Sequence, residues 1–176
     1  AIPFAKAGSF PLDKKIKASL AVDRQMNTLH NYGFCFNDIH LENLLIDKDS
    51  GQGHLIDFGT ITYIDDNDSF SKYFLRCDRQ EFKPSLEVDN YKMLISFWSL
   101  IYDINLEKHF EHFGVLDISY LEILFKGTTI SSLVNVANKN MLLGCPIPNI
   151  ADFLPFVSDL ERVNYDTHLI KSKVLR

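Results

Sequence analysis

The stretch from Val88 to Tyr102 constrains the fold of this chain more than any other part of its sequence. Its apolar residues fall on nearly every side of a helix rather than along one face. A helix of this kind is stable when other elements cover it all round, so it belongs in the middle of a domain. With 46% apolar residues, the chain has enough material to build a core around this segment.

Length and charge exclude several classes of protein. The 176 residues suffice for one domain of ordinary size. The 18 Lys and Arg stand against 23 Asp and Glu, so there is no basic excess of the kind that binds nucleic acid or an anionic membrane surface. No apolar leader opens the chain, and its most apolar run, Met93 to Tyr102, is half the length of about 20 residues that a bilayer needs. We therefore expect a cytoplasmic protein with no nucleic acid or membrane partner.

The three cysteines, Cys35, Cys77 and Cys145, are far apart and lack metal-ligand spacing. Buried or half-buried free thiols in a reducing compartment are the expected state. Cys35 lies between Phe34 and Phe36, which favours a buried thiol over a nucleophile.

Two further elements are predicted in the first third of the chain. The apolar spacing predicts an amphipathic helix from about Asp13 to His30, with Gly33 as its stop signal. Two short apolar runs, 44–46 and 54–56, flank a segment rich in Asp, Ser and Gly, which predicts a β-hairpin.

The rest of the chain is predicted to be a long surface loop and short helices. Residues 60–84 show no sustained period and include the acidic group Asp65, Asp66 and Asp68, so we expect a loop there. Shorter helices are predicted at 106–113, 119–125, 130–139 and 149–163.

Side chains that can carry chemistry cluster around the hairpin. Asp38 lies in the loop that leads into the first strand, Asn43 directly precedes that strand, and Asp57 follows the second strand. If the strands are antiparallel, Asn43 and Asp57 meet at the open end of the hairpin, close to Asp38. Carboxylate and amide oxygens are ligands that suit Mg²⁺. The sequence therefore predicts a magnesium site at this end of the hairpin.

The spacing Asp38-x-x-x-x-Asn43, followed by strand, turn, strand and Asp57-Phe58-Gly59, resembles the catalytic loop and metal-binding motif of the protein-kinase-like superfamily. The resemblance covers roughly residues 12–102. It implies that Asp38 orients the acceptor hydroxyl and takes its proton, and that Asn43 and Asp57 hold Mg²⁺ against the phosphates of ATP. It also implies that Asp89 braces the backbone of the catalytic loop.

Three positions depart from the usual pattern of protein kinases. Phe36 replaces a His, and Asn37 replaces the Arg that pairs with a phosphorylated loop, so control by loop phosphorylation is not expected. His40 stands where serine/threonine kinases have a Lys that contacts the transferred phosphate. His40 is thus a candidate for cofactor binding, with packing against the domain as the alternative. The Asn37-Asp38 pair with His40 is similar to the aminoglycoside- and choline-kinase-like branch and to the kinase part of lanthipeptide synthetases.

The resemblance also indicates what this chain does not contain. A kinase small lobe needs about 65 residues, whereas 37 residues precede Asp38 and the first helix takes half of them. We therefore expect an α+β, mainly α fold: a protein-kinase-like C-terminal lobe over 12–176 with a short β-hairpin at the catalytic loop. Residues 1–11 would be a hinge-like segment, the N-terminal lobe would be absent, and the chain would be part of a longer kinase.

The function that this resemblance implies is Mg²⁺-dependent transfer of the γ-phosphoryl group of ATP to a hydroxyl group. The expected partners are ATP, a protein or peptide acceptor, and the missing lobe or another upstream domain. Two alternatives remain open: a small-molecule kinase of the aminoglycoside or choline type, and a non-catalytic, pseudokinase-like or truncated module that binds a partner where the missing lobe would dock.

Overall fold

The computed structural model describes residues 1–66 and 71–157, which form an α+β fold. The helices are α1 (Leu12–Asn31), α2 (Leu86–Tyr102), α3 (Leu106–Phe110), α4 (Ser119–Leu124), α5 (Ser131–Leu143) and α6 (Ile150–Val157). The strands are β1 (Ile2–Pro3), β2 (Phe34–Cys35), β3 (Leu44–Ile46), β4 (Gly53–Leu55), β5 (Thr62–Tyr63), β6 (Phe74–Cys77), β7 (Gln80–Phe82), β8 (Glu111–His112) and β9 (Val115–Asp117). Single 3₁₀ turns occupy Phe4–Lys6 and Phe58–Thr60.

Helix α2 lies in the middle of the domain, as its apolar pattern predicts. Nearly all of its residues are buried, and Ser85 caps its start by accepting a hydrogen bond from Val88 N. The Trp98 ring packs edge-on against Phe125 and Phe153, with centroid distances of 5.5 and 5.4 Å. The prediction of a central helix is therefore confirmed. Residues that follow α2 in the chain, such as Phe125 and Phe153, cover part of its surface.

Helix α1 begins and ends within one residue of the predicted bounds. It packs against β4 at Gly53, where a Cβ atom would lie 2.1 Å from the Ala18 carbonyl oxygen. Glycine is therefore required for this close approach of helix and hairpin. The contact sets the position of the hairpin relative to the rest of the fold.

The hairpin prediction is confirmed, with its second strand at 53–55 instead of 54–56. Leu44 pairs with Leu55 in an antiparallel register, and β1 adds a third strand on the other side of β3. The turn is stabilised by Asp47 Oδ1, which accepts hydrogen bonds from the backbone N–H groups of Asp49 and Ser50.

The prediction of a surface loop over 60–84 is wrong. This stretch contains β5, β6 and β7, and the last two join a four-stranded sheet of order β7-β6-β9-β8. Leu75 pairs in parallel with Leu116, so the partner of β6 comes from beyond α2. Strands of three or four residues are too short to show a period, and a partner 41 residues away leaves no local signal. Asp68 lies outside the described residues.

The same sheet corrects the helix predicted at 106–113. Helix α3 ends at Phe110, and Glu111–His112 forms β8, which turns back into β9 through Phe113 and Gly114. Helix α4 follows its predicted position closely, α5 continues four residues beyond its predicted end at 139, and α6 occupies the described part of the segment predicted at 149–163. The α+β expectation is confirmed, whereas a mainly helical chain with one hairpin is too simple.

Candidate active site

The loop of residues 36–43 joins β2 to β3, and its backbone is held by Asp89 from α2. Asp89 is fully buried and accepts hydrogen bonds from Phe36 N at 2.7 Å and Asn37 N at 2.9 Å. His30 Nε2 lies 3.0 Å from the same carboxylate. The bracing role that the kinase resemblance implies for Asp89 therefore has a geometric counterpart. It allows Asn37 to hold a left-handed backbone conformation with a φ of 71°.

Two more buried ionisable groups hold this loop, and neither was predicted from the sequence. Lys92 Nζ donates to the Asn37 carbonyl oxygen at 2.8 Å, and both carboxylate oxygens of Glu107 accept from Leu41 N, the nearer at 2.9 Å. Lys92 had a visible signal, since it is a charge inside an all-round apolar helix. Glu107 had none, because its partner lies 66 positions earlier in the chain.

The carboxylate of Asp38 has protein partners on both oxygens. Its Oδ1 accepts from Lys72 N at 3.0 Å, and its Oδ2 lies 3.3 Å from Asn43 Nδ2 and 3.4 Å from His40 Nε2. Burial acts to raise the pKa of Asp38, but the hydrogen bonds from His40 and Lys72 N act against it. With the added attraction of the charges on His40 and Lys92, the pKa of Asp38 lies below its usual value.

Asn43 links the catalytic candidate to the hairpin. Its Nδ2 donates to the Asp38 backbone oxygen at 3.0 Å as well as to the Asp38 side chain. Its own carbonyl oxygen accepts from Ile56 N at 3.0 Å, which extends the ladder of the hairpin by one step. Asn43 therefore lies opposite Ile56, and Asp57 is the next residue along the second strand.

Asp57 occupies a sharp turn at the exit of the hairpin. Its backbone is left-handed, with φ 63° and ψ 72°, and one carboxylate oxygen lies 3.4 Å from Gly59 N. The side chain is exposed, and among the described residues it makes no hydrogen bond or ion pair with Asp38 or Asn43. The next residue, Phe58, packs its ring edge-on against Phe36 at 5.7 Å. Asp38, His40 and Asn43 thus form one contact cluster, and Asp57 borders it.

The donor set fits Mg²⁺ in its chemistry. Because Asn43 Nδ2 is engaged with Asp38, the oxygen Oδ1 is the atom of that amide left for a metal ion. Asp57 is exposed and supplies carboxylate oxygens. Within residues 1–66 and 71–157, no group of three His, Cys, Asp or Glu side chains is placed to hold a metal. One amide and one carboxylate agree with the usual preference of Mg²⁺ for few protein ligands and several waters.

His40 is buried, and its contacts are with protein groups. Its Nε2 faces Asp38, its ring lies edge-on to Tyr73 at 6.1 Å, and its Nδ1 has no hydrogen-bond partner among the described residues. The role of His40 in cofactor binding stays a prediction.

A short segment that follows the undescribed residues 67–70 covers the site from the other side. Ser71 is buried, and its Oγ lies 2.8 Å from the Asn37 carbonyl oxygen. Lys72 places its Nζ 3.5 Å from Glu42 Oε2 and over the Tyr73 ring. These residues were assigned to a loop by the sequence analysis, and their contacts with residues 36–42 left no pattern in the sequence.

The cysteines are free, as expected from the sequence, but the expectation of buried or half-buried thiols is wrong for Cys145, which is exposed. Cys35 and Cys77 are buried, and burial raises the pKa of each thiol to about 12, with nearby carboxylates adding to the effect. A thiol with so high a pKa is a poor nucleophile. The prediction of a buried thiol at Cys35 is therefore confirmed, and its raised pKa agrees with the expectation that it is not a nucleophile.

Within the described part of the chain, none of the helices combines the length and the apolar character that crossing a membrane requires.

Comparison with known proteins suggests the protein-kinase-like superfamily. One relative is described as "Glycogen synthase kinase-3 homolog YGK3" from Saccharomyces cerevisiae, and it is 35% identical over 79 residues, which make up 44% of this chain. That stretch spans 20% of the length of the yeast protein. No protein-family model matches the chain. The comparison therefore supports a kinase-like relationship in part of the chain and leaves the branch open.

Proposed function

We propose that this chain is the C-terminal lobe of a kinase-type phosphotransferase, with residues 1–11 as the hinge and 12–176 as the lobe. The observation that carries the proposal is the pairing of Asp38 with Asn43 at the mouth of a hairpin whose exit is Asp57. The partial similarity to a kinase homologue adds support. A small lobe encoded upstream would complete the nucleotide site.

In this proposal, Asp38 orients the acceptor hydroxyl and takes its proton. The donors around its two oxygens keep the carboxylate ionised and fix its direction, so it is ready to accept a hydrogen bond. Asn43 Oδ1 and Asp57 would hold Mg²⁺, which neutralises charge on the phosphates when it is bound. Asp89 keeps the loop backbone in place, so that the acceptor and phosphate meet in one orientation.

We propose a protein or peptide hydroxyl as the acceptor. The support is the brace from Asp89 at the start of α2, since this helix start and its aspartate resemble those of the protein kinases. The alternative is a small-molecule acceptor of the aminoglycoside or choline type, and a phosphoryl-transfer assay distinguishes the two. Label from γ-labelled ATP on a casein-like protein, with none on choline or an aminoglycoside, is the expected result, and the reverse pattern would overturn this choice.

The test of phosphotransfer uses the full-length protein with Mg²⁺ and γ-labelled ATP. Asp38→Asn keeps the shape of the side chain and removes the base, so we expect turnover to fall by about 100-fold or more. The matched control is Asp49→Asn, an exposed aspartate at the far end of the same hairpin, which should keep full activity. Equal activity in wild type and Asp38→Asn would refute the catalytic role.

A second candidate function is a non-catalytic binding module. The observation in its favour is the exposure of three aromatic side chains: Tyr32 just before β2, Phe58 directly after Asp57, and Tyr63 in β5 are 76%, 53% and 68% exposed. If the full-length protein neither binds Mg·ATP nor transfers phosphate, this second function replaces the first.

A further inference from the structure

We propose that Lys92 is a positioning residue, whose buried ammonium group clamps the segment 71–73 to the loop that carries Asp38. The consequence for phosphoryl transfer rests on the proposed function. The clamp itself is a structural statement about this chain and is tested separately below.

The clamp consists of three groups from three parts of the chain. Lys92 is 3% exposed, and its Nζ donates to the Asn37 carbonyl oxygen at 2.8 Å and to Ser71 Oγ. Ser71 is equally buried, and its Oγ lies 2.8 Å from the same Asn37 oxygen. The three polar atoms therefore form a closed triangle, which fixes Ser71 against the loop.

The clamp acts on Asp38 through the residue that follows Ser71. Lys72 N donates to Asp38 Oδ1 at 3.0 Å, so the position of Ser71 decides where this donor points. Asn37 also donates from its side-chain amide to the Thr60 carbonyl oxygen and to Thr62 Oγ1. One residue thus ties the loop to the segment after Asp57 as well as to the segment at Ser71. Lys92 lies on α2 and donates hydrogen bonds to Asn37 and Ser71, so it holds these two residues together.

Fold stability alone does not account for a lysine at this position. Among the described residues, no carboxylate oxygen lies within 4.0 Å of Lys92 Nζ. Burial lowers the pKa of Lys92 to about 8, against the attraction of Asp89, Asp38 and Glu107, the charged groups that face it from α2, the loop and α3. The charged form is therefore held at a cost, which an apolar side chain in this apolar helix would avoid.

The first test is Lys92→Met in the full-length protein, which removes the charge and keeps most of the volume. We expect amide hydrogen exchange at residues 71–73 to rise by about 10-fold or more, the factor that corresponds to losing a hydrogen bond to a charged group. We expect the melting temperature to stay the same or to rise. Lys139→Met, an exposed lysine on α5, is the matched control and should change neither. Unchanged exchange at 71–73, or a lower melting temperature with faster exchange throughout, would overturn the clamp.

Ser71→Ala provides a second route to the same contact from the other partner. It removes Ser71 Oγ, which accepts a hydrogen bond from the Lys92 ammonium group, and changes the side-chain volume little. The same local rise in exchange at Lys72 and Tyr73 is expected, and its absence would contradict the proposal even if Lys92→Met failed to fold.

The second test measures phosphoryl transfer by Lys92→Met. We expect kcat to fall by about 10-fold with KM for ATP changed by less than about 2-fold, because the clamp reaches Asp38 Oδ1 and contacts neither Asn43 nor Asp57, the residues proposed to hold Mg²⁺. Faster exchange at 71–73 with an unchanged kcat would refute the positioning role and leave the clamp in place. If the wild-type protein transfers no phosphate at all, the proposed function fails, and the exchange experiment still decides the clamp.

Discussion

Asp89 shows how one side chain shapes the candidate site. Its carboxylate accepts two backbone N–H groups from the loop and contacts His30, all within a fully buried environment. Asp89→Asn places an amide where at least one N–H donor needs an acceptor. We expect the free energy of unfolding to fall by about 2–4 kcal/mol, measured by urea denaturation.

The control for Asp89→Asn is Glu87→Gln, in the same helical turn but only partly buried. It should change the free energy of unfolding by less than about 0.5 kcal/mol. Equal losses in the two variants would show that helix-terminal charge, and not the loop contact, explains the effect.

The proposed roles predict different defects for two variants: Asp57→Asn should lose Mg²⁺-dependent ATP binding, and Asp38→Asn should lose turnover. Asp57 is exposed and borders the cluster, so Asp57→Asn is expected to leave stability within about 0.5 kcal/mol of wild type. It should weaken Mg²⁺-dependent ATP binding by about 10-fold or more, because a neutral amide is a poorer ligand for Mg²⁺. Asp38→Asn should bind Mg·ATP nearly as wild type and lose turnover. Titration of Mg²⁺ at fixed ATP with full-length protein distinguishes the two patterns.

The spacing of residues 38–57 was enough to predict the loop and the hairpin, but it placed Asn43 beside Asp57, whereas Asn43 lies opposite Ile56. Those contacts are local, since turn chemistry and strand alternation determine them within 20 positions. Lys92 and Glu107 contact the same loop from 55 and 66 positions away, so nothing near residues 36–43 indicates them. The sequence therefore predicts which groups gather at the site better than what holds them there.

At the scale of elements, the contact of α1 with β4 determines where the hairpin lies. A Cβ on residue 53 would also lie 2.9 Å from Val22 Cγ2, in addition to its clash with Ala18. Gly53→Ala therefore must push the helix and the hairpin apart. We expect the free energy of unfolding to fall by about 1–3 kcal/mol, as measured by chemical denaturation.

Gly59→Ala is the matched control for this prediction. A Cβ there would approach Asp57 Oδ1 at 3.4 Å, which is ordinary contact. The control should cost less than about 1 kcal/mol. A similar loss in both variants would mean that backbone entropy of the glycine, and not the helix contact, determines the result.

The four-stranded sheet shows where reasoning from sequence stops at the scale of elements. Strand β6 buries Leu75 and Cys77 and alternates as a strand should, but four residues inside a polar stretch do not separate a strand from a loop. The strand exists because β9 returns beside it from the far side of α2. Such short strands are stable only when they pair with a partner strand from elsewhere in the fold. The pattern of apolar residues within β6 carries no information about that partner.

At the scale of the whole molecule, the core helix and the site are one system. Helix α2 supplies Asp89 and Lys92, α3 supplies Glu107, and all three face the loop of residues 36–43. The apolar side chains around α2 remove these ionisable groups from water, which strengthens each contact with the loop and makes the charged form of each group costly. Stability of the domain should therefore depend on pH through these buried groups.

Glu107 gives that dependence a definite sign. Burial raises its pKa from the usual 4.5 to about 8, against the hydrogen bond from Leu41 N and the charges of Lys72 and Lys92. Between pH 4.5 and 8 the folded state then holds a proton that the unfolded state has released, so the contribution of Glu107 to stability falls as pH rises through this window. Lys92 acts in a separate window, because its lowered pKa makes stability rise between pH 8 and 10.5.

The measurement compares wild type with Glu107→Gln, in which the amide oxygen still accepts from Leu41 N. Subtracting the two unfolding free energies at each pH removes the titration of all other groups that the substitution leaves unchanged. We expect the difference, wild type minus variant, to decrease steadily from pH 4.5 to 8 and to be flat above. A difference that does not vary with pH would mean that Glu107 is ionised in the folded protein throughout. The loop at Leu41 would then be held by a charged carboxylate, and the cost of burying that charge would have to be offset by Lys72 and Lys92.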